Sequence, residues 1–312
     1  MSTRTILRGM LRSATLACVA AAALCLPAWA APAFDETPRI AVVSAFQPEL
    51  SLLLGQVREP RKFTANGVEF TTGTLQGKPV VLFLSGVSMT NAAMNTQLVL
   101  DRFKVSHVIV SGIAGGVNPA LNIGDVTVAQ RWGQYLEVLM ARESAPGTFS
   151  VPPWMDDVKL PNYGMMHPRP IRLRSAGHAG EERKFWFDAD PALLKIADGI
   201  QSVALEDCDA QRKCLGHKPR LVVGGNGVSG QAFVDNAGFR EYTFKTFQAN
   251  VLDMETAAIA MVAYSNGVPW IAFRSLSDLA GGGKGENEIG TFFKIAADNS
   301  ARVLLAFLAA WK

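Results

Sequence analysis

The sequence predicts a single α/β domain with a mixed, mostly parallel central sheet that is flanked by helices. Short apolar runs that suit buried strands alternate along the chain with stretches of helical periodicity, and this alternation is typical of such sheets. Of the 312 residues, 49% are hydrophobic, which is enough for a sizeable core. The length of residues 31–312 fits one large domain.

The predicted elements begin with a strand and end with a helix. We expect strands at 39–44, 80–84, 105–110, 126–129, 220–223 and 268–273, and helices at 47–54, 91–103, 193–205, 256–266 and 292–311. The segment 256–266 is rich in alanine and stops at Asn266-Gly267, so it suits a buried helix. The apolar segment 268–273 suits a buried parallel strand.

The segment 133–190 has a different composition from the rest of the chain. Prolines at 152, 153, 161, 168 and 170 argue against long regular structure. Aromatic residues, among them Trp154, Tyr163 and Trp186, argue against disorder. We expect an ordered but irregular insertion that packs on the core or lines a subunit interface.

The first thirty residues predict a signal peptide that does not belong to the fold. Arg4, Arg8 and Arg12 give a basic start, an apolar core follows at 16–26, and residues 28–30 have the small-x-small form of a cleavage site. We therefore expect an exported protein, either periplasmic or secreted. Two alternatives are an uncleaved anchor helix, for which the apolar run is short, and a lipid-modified Cys18.

The charge balance argues against a nucleic-acid partner and against binding to an anionic membrane. The predicted leader holds three of the 30 basic residues and none of the 27 acidic ones, so basic and acidic residues balance in the remainder. Without a basic excess, no electrostatic footprint for phosphate backbones or anionic lipids is present.

Two cysteines follow the leader, Cys208 and Cys214, with polar and charged residues between them. In an oxidising compartment this spacing predicts a small loop closed by a disulfide. Two reduced thiols, or half of a metal site, are the alternatives. We expect no metal and no cofactor.

Two carboxylates are expected at one edge of the sheet. Glu255 precedes the predicted helix 256–266, and Asp278 follows the predicted strand 268–273. Ligands of open α/β sheets bind at the carboxyl ends of the strands. Two carboxylates at such an edge can divide acid and ionic roles in the cleavage of a glycosidic bond.

Glycine-rich turns follow two predicted strands, at 111–116 and at 224–230. Small residues such as Ala114 and Gly115 let a ligand approach the backbone closely. Neither turn matches the phosphate-binding loop with its lysine or the spacing of the dinucleotide fingerprint. The turns alone are a weak signal, since tight connections have the same composition.

Taken together, these segments resemble the nucleoside phosphorylase and nucleosidase superfamily. The activity type that they resemble most is 5′-methylthioadenosine/S-adenosylhomocysteine nucleosidase, and the leader and cysteine pair resemble a secreted branch that includes plant vegetative (bark) storage proteins. The matching pieces keep the family's order and are 40–45 with Glu49, 111–116, 124–126, 228–233, 253–255 and 274–278. The resemblance implies the nucleoside phosphorylase-like fold and a homo-oligomer. Asp253 stands where the family more often has Glu, and Ile113 where nucleosidases carry a hydroxyl.

The resemblance also implies roles for three acidic side chains. Asp278, oriented by Ser277 and Arg274, would donate a proton to the purine base. Glu255 would grip the ribose hydroxyls, and Glu49 would activate the attacking water. The alternatives are a turn-capping Asp278, an ordinary first-turn Glu255 and a solvated Glu49 on the surface of a helix.

Further residues of the implied site contact the substrate. Met254 would pack against the sugar, Phe233 would stack on the base, and the backbone of Val234 would read the edge of adenine. Ala114 and Gly115 would lie against the ligand. A core position is the alternative for Phe233.

The resemblance implies an enzyme that hydrolyses the N-glycosidic bond of 5′-methylthioadenosine, S-adenosylhomocysteine or a related purine nucleoside. Two other functions are open at this point. One is phosphate-dependent purine nucleoside phosphorolysis, and the other is a secreted nucleoside-binding or storage protein without catalysis. Glu49 favours water over phosphate, since no Arg or Lys cluster accompanies the loops at Gly86 and Gly112.

Overall fold

The computed structural model describes residues 33–312, so the predicted signal peptide lies outside the described residues. Its strands are β1 Asp35–Ser44, β2 Arg58–Ala65, β3 Val68–Leu75, β4 Lys78–Leu84, β5 Phe103–Gly116, β6 Val126–Val128, β7 Arg131–Gln134, β8 Val138–Met140, β9 Arg142–Ala145, β10 Thr148–Ser150, β11 Met166–Pro168, β12 Ile171–Ser175, β13 His178–Lys184, β14 Trp186–Asp188, β15 Leu221–Val223, β16 Asn226–Ser229, β17 Ala249–Asp253 and β18 Trp270–Asp278. Its helices are α1 Gln47–Leu54, α2 Met89–Arg102, α3 Pro191–Asp198, α4 Ala237–Phe247, α5 Thr256–Ser265 and α6 Ile289–Ala310.

The long strand β5 is the centre of a mixed sheet. It pairs in parallel with β1 and with β18, so that Ile109 lies level with Val42 and Ile271. Near its end β5 also pairs antiparallel with β17. The strands β2, β3 and β4 extend the sheet as an antiparallel meander. These pairings confirm the predicted mixed α/β sheet.

Helices cover both faces of this sheet, as predicted. Successive residues of a strand point to opposite faces, and the core divides accordingly. Val43 and Val108 pack with residues of α2 and α5 in one hydrophobic cluster. Val42 and Ile109 pack with residues of α1, α3 and α6 in another. The carboxyl ends of β1 and β18 therefore meet between the two helical layers.

The predicted helix 193–205 is wrong in its extent. Helix α3 begins two residues earlier, because the side chain of Asp190 accepts hydrogen bonds from the backbone N–H groups of Ala192 and Leu193. It ends at Asp198, and Gly199 caps it. The apolar residues beyond this point that suggested a longer helix pack on the core without helical structure.

The segment 133–190 consists of short strands and turns. Its first residues continue β7, which pairs with β14 in the central sheet and buries Trp132 and Phe187 completely. The hairpin of β12 and β13 packs on α5, where Tyr264 donates a hydrogen bond to Glu182. The sheet pairing of β7 and β14 was missed because each strand is only three or four residues long.

A disulfide joins Cys208 and Cys214, as the cysteine spacing predicts. The bond closes a loop between α3 and β15. Within residues 33–312 no helix is long and apolar enough to span a membrane.

Candidate active site

Three carboxylates from distant parts of the chain line one cavity of about 260 Å³. Glu49 lies in the first turn of α1, directly after β1. Glu255 is the residue that precedes α5, and Asp278 is the last residue of β18. The fold therefore brings together the three acidic side chains that the sequence predicts to act together.

The other predicted site residues line the same cavity, with one exception. Phe233 is 56% exposed at the cavity mouth, so it is not a core residue. The exception is Arg274, which lies behind the carboxylates and does not reach the cavity. The further predicted site residues that do line it are Ala114, Gly115, Phe233, Val234, Met254 and Ser277.

Glu49 is buried and accepts hydrogen bonds on both carboxylate oxygens, so it is not a solvated residue of a helix surface. One carboxylate oxygen accepts the backbone N–H groups of Ala45 at 2.6 Å and Phe46 at 3.4 Å, and the other accepts that of Ile113 at 2.7 Å. Burial raises the pKa of Glu49, although these donors and Arg274 oppose the effect. The carboxylate is thus held in place and has an increased tendency to take up a proton.

Arg274 is the centre of a buried ion cluster, which corrects its predicted role. Its Nη2 lies 2.8 Å from Asp253 Oδ2 and 3.3 Å from Glu255 Oε2, and its Nη1 lies 3.5 Å from Glu49 Oε1. None of the contacts found for this guanidinium in the described chain reaches Asp278, which it was expected to orient. A planar guanidinium can donate to several carboxylates at once. Three carboxylates around one cation leave an excess of negative charge, and Asp253 and Glu49 accordingly add to the effect of burial in raising the pKa of Glu255.

Asp253 anchors this cluster to the start of α5. Its carboxylate accepts hydrogen bonds from the hydroxyl groups of Ser229 and Thr256 and from the backbone N–H groups of Glu255 and Thr256. The parallel pairing of β16 and β17 puts Ser229 beside it. The sequence predicted no role for Asp253 in the site. An Asp three residues before a Thr at a helix start is the signal that indicates this anchor.

Glu255 is fixed by donors on both carboxylate oxygens. Oε1 accepts the backbone N–H of Ser88 at 2.8 Å, and Oε2 faces Arg274. Burial raises the pKa of Glu255 to about 7; Arg274 opposes this shift and Asp253 adds to it. A buried, ionised carboxylate that lines a cavity can accept hydrogen bonds from hydroxyl groups of a ligand.

Asp278 combines the predicted orientation with the alternative of capping a turn. Its Oδ2 accepts the hydroxyl of Ser277 at 2.8 Å, and its Oδ1 accepts the backbone N–H of Ala280 at 2.8 Å. Burial raises the pKa of Asp278, although both hydrogen bonds oppose the shift. A raised pKa favours the protonated form, which is the form that can donate a proton to a ligand.

Gly112 allows the ion cluster to form. A Cβ atom at this position would lie 2.2 Å from Arg274 Nη1 and 2.3 Å from Glu49 Oε1. The small residues of 111–116 were predicted to allow the close approach of a ligand. That interpretation suits Gly115, which lines the cavity, but Gly112 makes room for the contact between Glu49 and Arg274.

The cavity lining is acidic and apolar. Among the described residues that line it, none is Lys, Arg or His. Within residues 33–312 no group of three or more His, Cys, Asp or Glu side chains is arranged to hold a metal ion. The site is therefore equipped for proton transfer and for stabilising positive charge in a neutral organic ligand.

This chain matches the model of one protein family and is similar in sequence to nucleosidases. The family model described as "Phosphorylase superfamily" matches residues 39–309. A 5′-methylthioadenosine/S-adenosylhomocysteine nucleosidase from Bacillus licheniformis is 29% identical over 273 residues, which cover 86% of this chain and 98% of the relative.

Solved structures of similar proteins share the fold. The nucleosidase of the same type from Neisseria meningitidis, in complex with methylthio-immucillin-A, has a TM-score of 0.63 at 24% identity, with 88% of this chain and 99% of that chain covered. The nucleosidase from Colwellia psychrerythraea, in complex with adenine, has a TM-score of 0.66 at 22% identity, with 89% of this chain and 97% of that chain covered.

Proposed function

The chain belongs to the phosphorylase superfamily, and from that premise we propose that it hydrolyses the N-glycosidic bond of 5′-methylthioadenosine, S-adenosylhomocysteine or a related purine nucleoside. The observation that carries this proposal is the shared cavity of Glu49, Glu255 and Asp278. Each carboxylate meets one requirement of the reaction.

Asp278 supplies the proton for the leaving base. As the bond between C1′ and N9 breaks, its electron pair passes to the purine, and a proton from Asp278 neutralises the base at N7. The raised pKa of Asp278 keeps this proton available at a pH where an ordinary Asp has lost it. Ser277 holds the carboxyl in the cavity wall through its 2.8 Å hydrogen bond.

Glu255 holds the sugar and stabilises its charge. In the ionised form it accepts hydrogen bonds from the ribose hydroxyl groups and faces the positive charge that develops on the ring. Arg274 and the backbone N–H of Ser88 fix its carboxylate before substrate binds. A pre-oriented charge of this kind requires little reorganisation during the reaction.

Glu49 activates the nucleophile. It takes one proton from a water molecule while the water oxygen forms the new bond to C1′. Burial raises the pKa of Glu49, which strengthens it as a proton acceptor. The products are the free base and the free sugar, and the proton gained by Glu49 balances the one lost by Asp278.

The cavity supports water rather than phosphate as the nucleophile. A phosphate anion needs cationic donors, and none of the described lining residues is Lys, Arg or His. Arg274 lies behind the cavity and is already shared by three carboxylates. An anion placed beside those carboxylates would be repelled.

The test is release of adenine from 5′-methylthioadenosine by the purified chain, with and without phosphate. We expect the same rate in both conditions and free methylthioribose as product. Strict dependence on phosphate would show a phosphorylase, and tight binding without turnover would show a binding protein. A Glu49→Gln variant that keeps full turnover would contradict the assigned base.

The choice of substrate rests on the cavity wall and on the relatives. Phe46, Val87, Ile113 and Ile289 give the cavity an apolar side, which suits a nucleoside whose 5′ position carries a thioether rather than a phosphate group. The relative from Bacillus licheniformis is named for methylthioadenosine and S-adenosylhomocysteine. Comparison of kcat/KM for methylthioadenosine, S-adenosylhomocysteine, adenosine and AMP tests the assignment, with AMP expected to be the poorest substrate.

We also propose that the enzyme is exported and self-associates. The disulfide between Cys208 and Cys214 supports an oxidising compartment. The exposed apolar residues Val87, at 46%, and Phe233 at the cavity mouth support association, because a partner subunit would cover them. Cell fractionation and the mass of the purified protein by light scattering test the two parts separately.

A further inference from the structure

Ser88 has a backbone conformation that its position at a helix start does not require. Its φ is +89° and its ψ is 151°, a region that is populated almost only by glycine. A serine before a helix ordinarily has extended backbone with negative φ and caps the helix with its hydroxyl. The hydroxyl of Ser88 makes no such bond to α2. Contacts outside the helix must therefore hold this conformation.

The backbone N–H of Ser88 is directed at the candidate active site. It donates to Glu255 Oε1 at 2.8 Å, across 167 positions of sequence. The other oxygen of this carboxylate faces Arg274 Nη2 at 3.3 Å. Because the two donors hold different oxygens, the carboxylate cannot rotate without losing one of them.

The hydroxyl of Ser88 reaches the opposite side of the cavity mouth. It lies 3.3 Å from Gln231 Oε1. Val87, which precedes Ser88, and Ala232, which follows Gln231, both line the cavity. The serine thus connects two cavity-lining loops at the point where its N–H meets Glu255.

We propose that Ser88 is a positioning residue for Glu255: its left-handed backbone keeps its N–H on the carboxylate and so fixes the carboxylate toward the bound sugar. The proposal rests on the proposed function and adds to it a residue that does not touch the reacting atoms. According to this proposal, the position of the Glu255 carboxylate depends on the backbone conformation at position 88 and not on the side chain there.

Substitutions at position 88 separate the backbone from the side chain. Glycine adopts a positive φ without strain and keeps the N–H, so kcat/KM of Ser88→Gly is expected within about threefold of wild type. Threonine keeps the hydroxyl, but a β-branched residue resists positive φ. In Ser88→Thr the backbone is expected to rotate and to withdraw the N–H, lowering kcat/KM about 10- to 100-fold, the range for loss of a hydrogen bond to a charged group.

The pH profile distinguishes positioning from a general structural effect. Loss of the Ser88 donor makes the ionised form of Glu255 less stable, so the acid limb of kcat/KM is expected at higher pH in Ser88→Thr and unmoved in Ser88→Gly. Arg274, Asp253 and Glu49 also face Glu255, and these groups are the same in both variants. Gln231→Ala, which removes only the partner of the hydroxyl, is expected to leave the acid limb in place. A Ser88→Thr enzyme with the wild-type rate, or with a lower rate and an unmoved acid limb, overturns the proposal.

An NMR measurement on the unaltered chain tests the contact without turnover. The amide proton of Ser88 is expected to titrate with the midpoint of Glu255, near pH 7, and to lose that transition in Glu255→Gln. An amide shift that does not follow Glu255 overturns the proposal even if Ser88→Thr fails to fold. Because no substrate is needed, this outcome is independent of whether the proposed hydrolysis is found.

Discussion

Arg274 Nη2 lies 2.8 Å from Asp253 Oδ2, and both side chains are almost completely buried. The pair links β18 to the end of β17, and through Arg274 it reaches Glu49 and Glu255 as well. Arg274 therefore holds two candidate catalytic carboxylates, and its contact with Asp253 fixes the guanidinium in place. The stability of this buried ion cluster should therefore depend on the balance between the one guanidinium and the carboxylates around it.

Replacing Arg274 by Met should destabilise the protein strongly. Loss of one partner from a buried ion cluster leaves uncompensated charge and costs about 3 to 5 kcal/mol. The loss should be largest at pH 8 and smaller at pH 5, since protonation then relieves the carboxylates. Urea unfolding at both pH values measures it. Arg302→Met is the control, because Arg302 pairs with Glu206 at a partly exposed site where about 1 kcal/mol or less is expected. Equal effects of the two variants would contradict the prediction.

Gly112→Ala should impair turnover by moving Glu49 and Arg274 apart. The added methyl group would lie within 2.3 Å of both side chains, so at least one must shift. We expect kcat to fall about 100-fold or more, because a displacement of about 1 Å at a catalytic group is enough for such a loss. Gly177→Ala is the control, since a Cβ at Gly177 would meet no atom within 4 Å. Steady-state rates of both variants decide the point, and an active Gly112→Ala enzyme would show that the cluster tolerates rearrangement.

The sequence predicted the acidic members of the site but not what holds them. Glu49, Glu255 and Asp278 each follow or precede a recognisable strand or helix, so their convergence at one sheet edge follows from topology. The contact of Ser88 with Glu255 depends on a positive φ that serine does not signal. The pairing of Arg274 with Asp253 depends on burial, which no local pattern specifies.

For the fold, too, some elements could be predicted from the sequence and others could not. The strongly apolar strands β1, β4 and β18 were all predicted, but β18 continues five residues beyond its predicted end at 273 and includes Asp278. The strand β2 was missed because its sequence, REPRKFTA, is largely polar and exposed at a sheet edge. The prediction placed the end of α3 too late, because Ile200, Val203 and Leu205 continue the apolar pattern of the helix. In the structure these residues pack on the core as irregular backbone.

The stability of the protein should fall between pH 4.5 and 7 in part because of Glu255. Its pKa is about 7 in the folded protein and 4.5 ordinarily. The protonated form is therefore favoured in the fold, so the stabilisation is complete below pH 4.5 and is lost as the pH rises through 7. Glu255→Gln should flatten this dependence by at most about 3 kcal/mol. Unfolding by urea across this range measures it, with the exposed Glu69→Gln as the control. An unchanged slope in Glu255→Gln would contradict the prediction.

Ser277→Ala should move the alkaline limb of kcat/KM to higher pH. The Ser277 hydroxyl stabilises the ionised form of Asp278 and so opposes the effect of burial on its pKa. Without this donor the pKa of Asp278 rises further, and the proton needed for the leaving base persists at higher pH. Ser275→Ala is the control, because Ser275 lies on the same buried strand and its hydroxyl bonds to the Gly124 carbonyl instead. A limb that stays in place, or moves down, would argue against Asp278 as the acid.

Removing the disulfide should weaken substrate binding more than it slows the chemical step. Lys213, inside the loop closed by Cys208 and Cys214, lies 3.0 Å from the hydroxyl of Thr291. Thr291 is in the first turn of α6, two residues after Ile289, which lines the cavity. An open loop would release this turn, so KM in the double Cys→Ser variant should rise about 2- to 10-fold, the range for loss of one hydrogen bond, with kcat little changed.

A second variant distinguishes the effect of the disulfide on stability from its effect on substrate binding. Opening the loop should also cost about 2 kcal/mol through the entropy of the unfolded chain. Lys213→Met removes only the contact with Thr291, so it should raise KM to a similar degree without that loss of stability. If the double variant is less stable but binds substrate with the wild-type KM, the loop stabilises the fold without acting on the cavity. If Lys213→Met alone reproduces the change in KM, the disulfide loop affects the cavity through the contact of Lys213 with the first turn of α6.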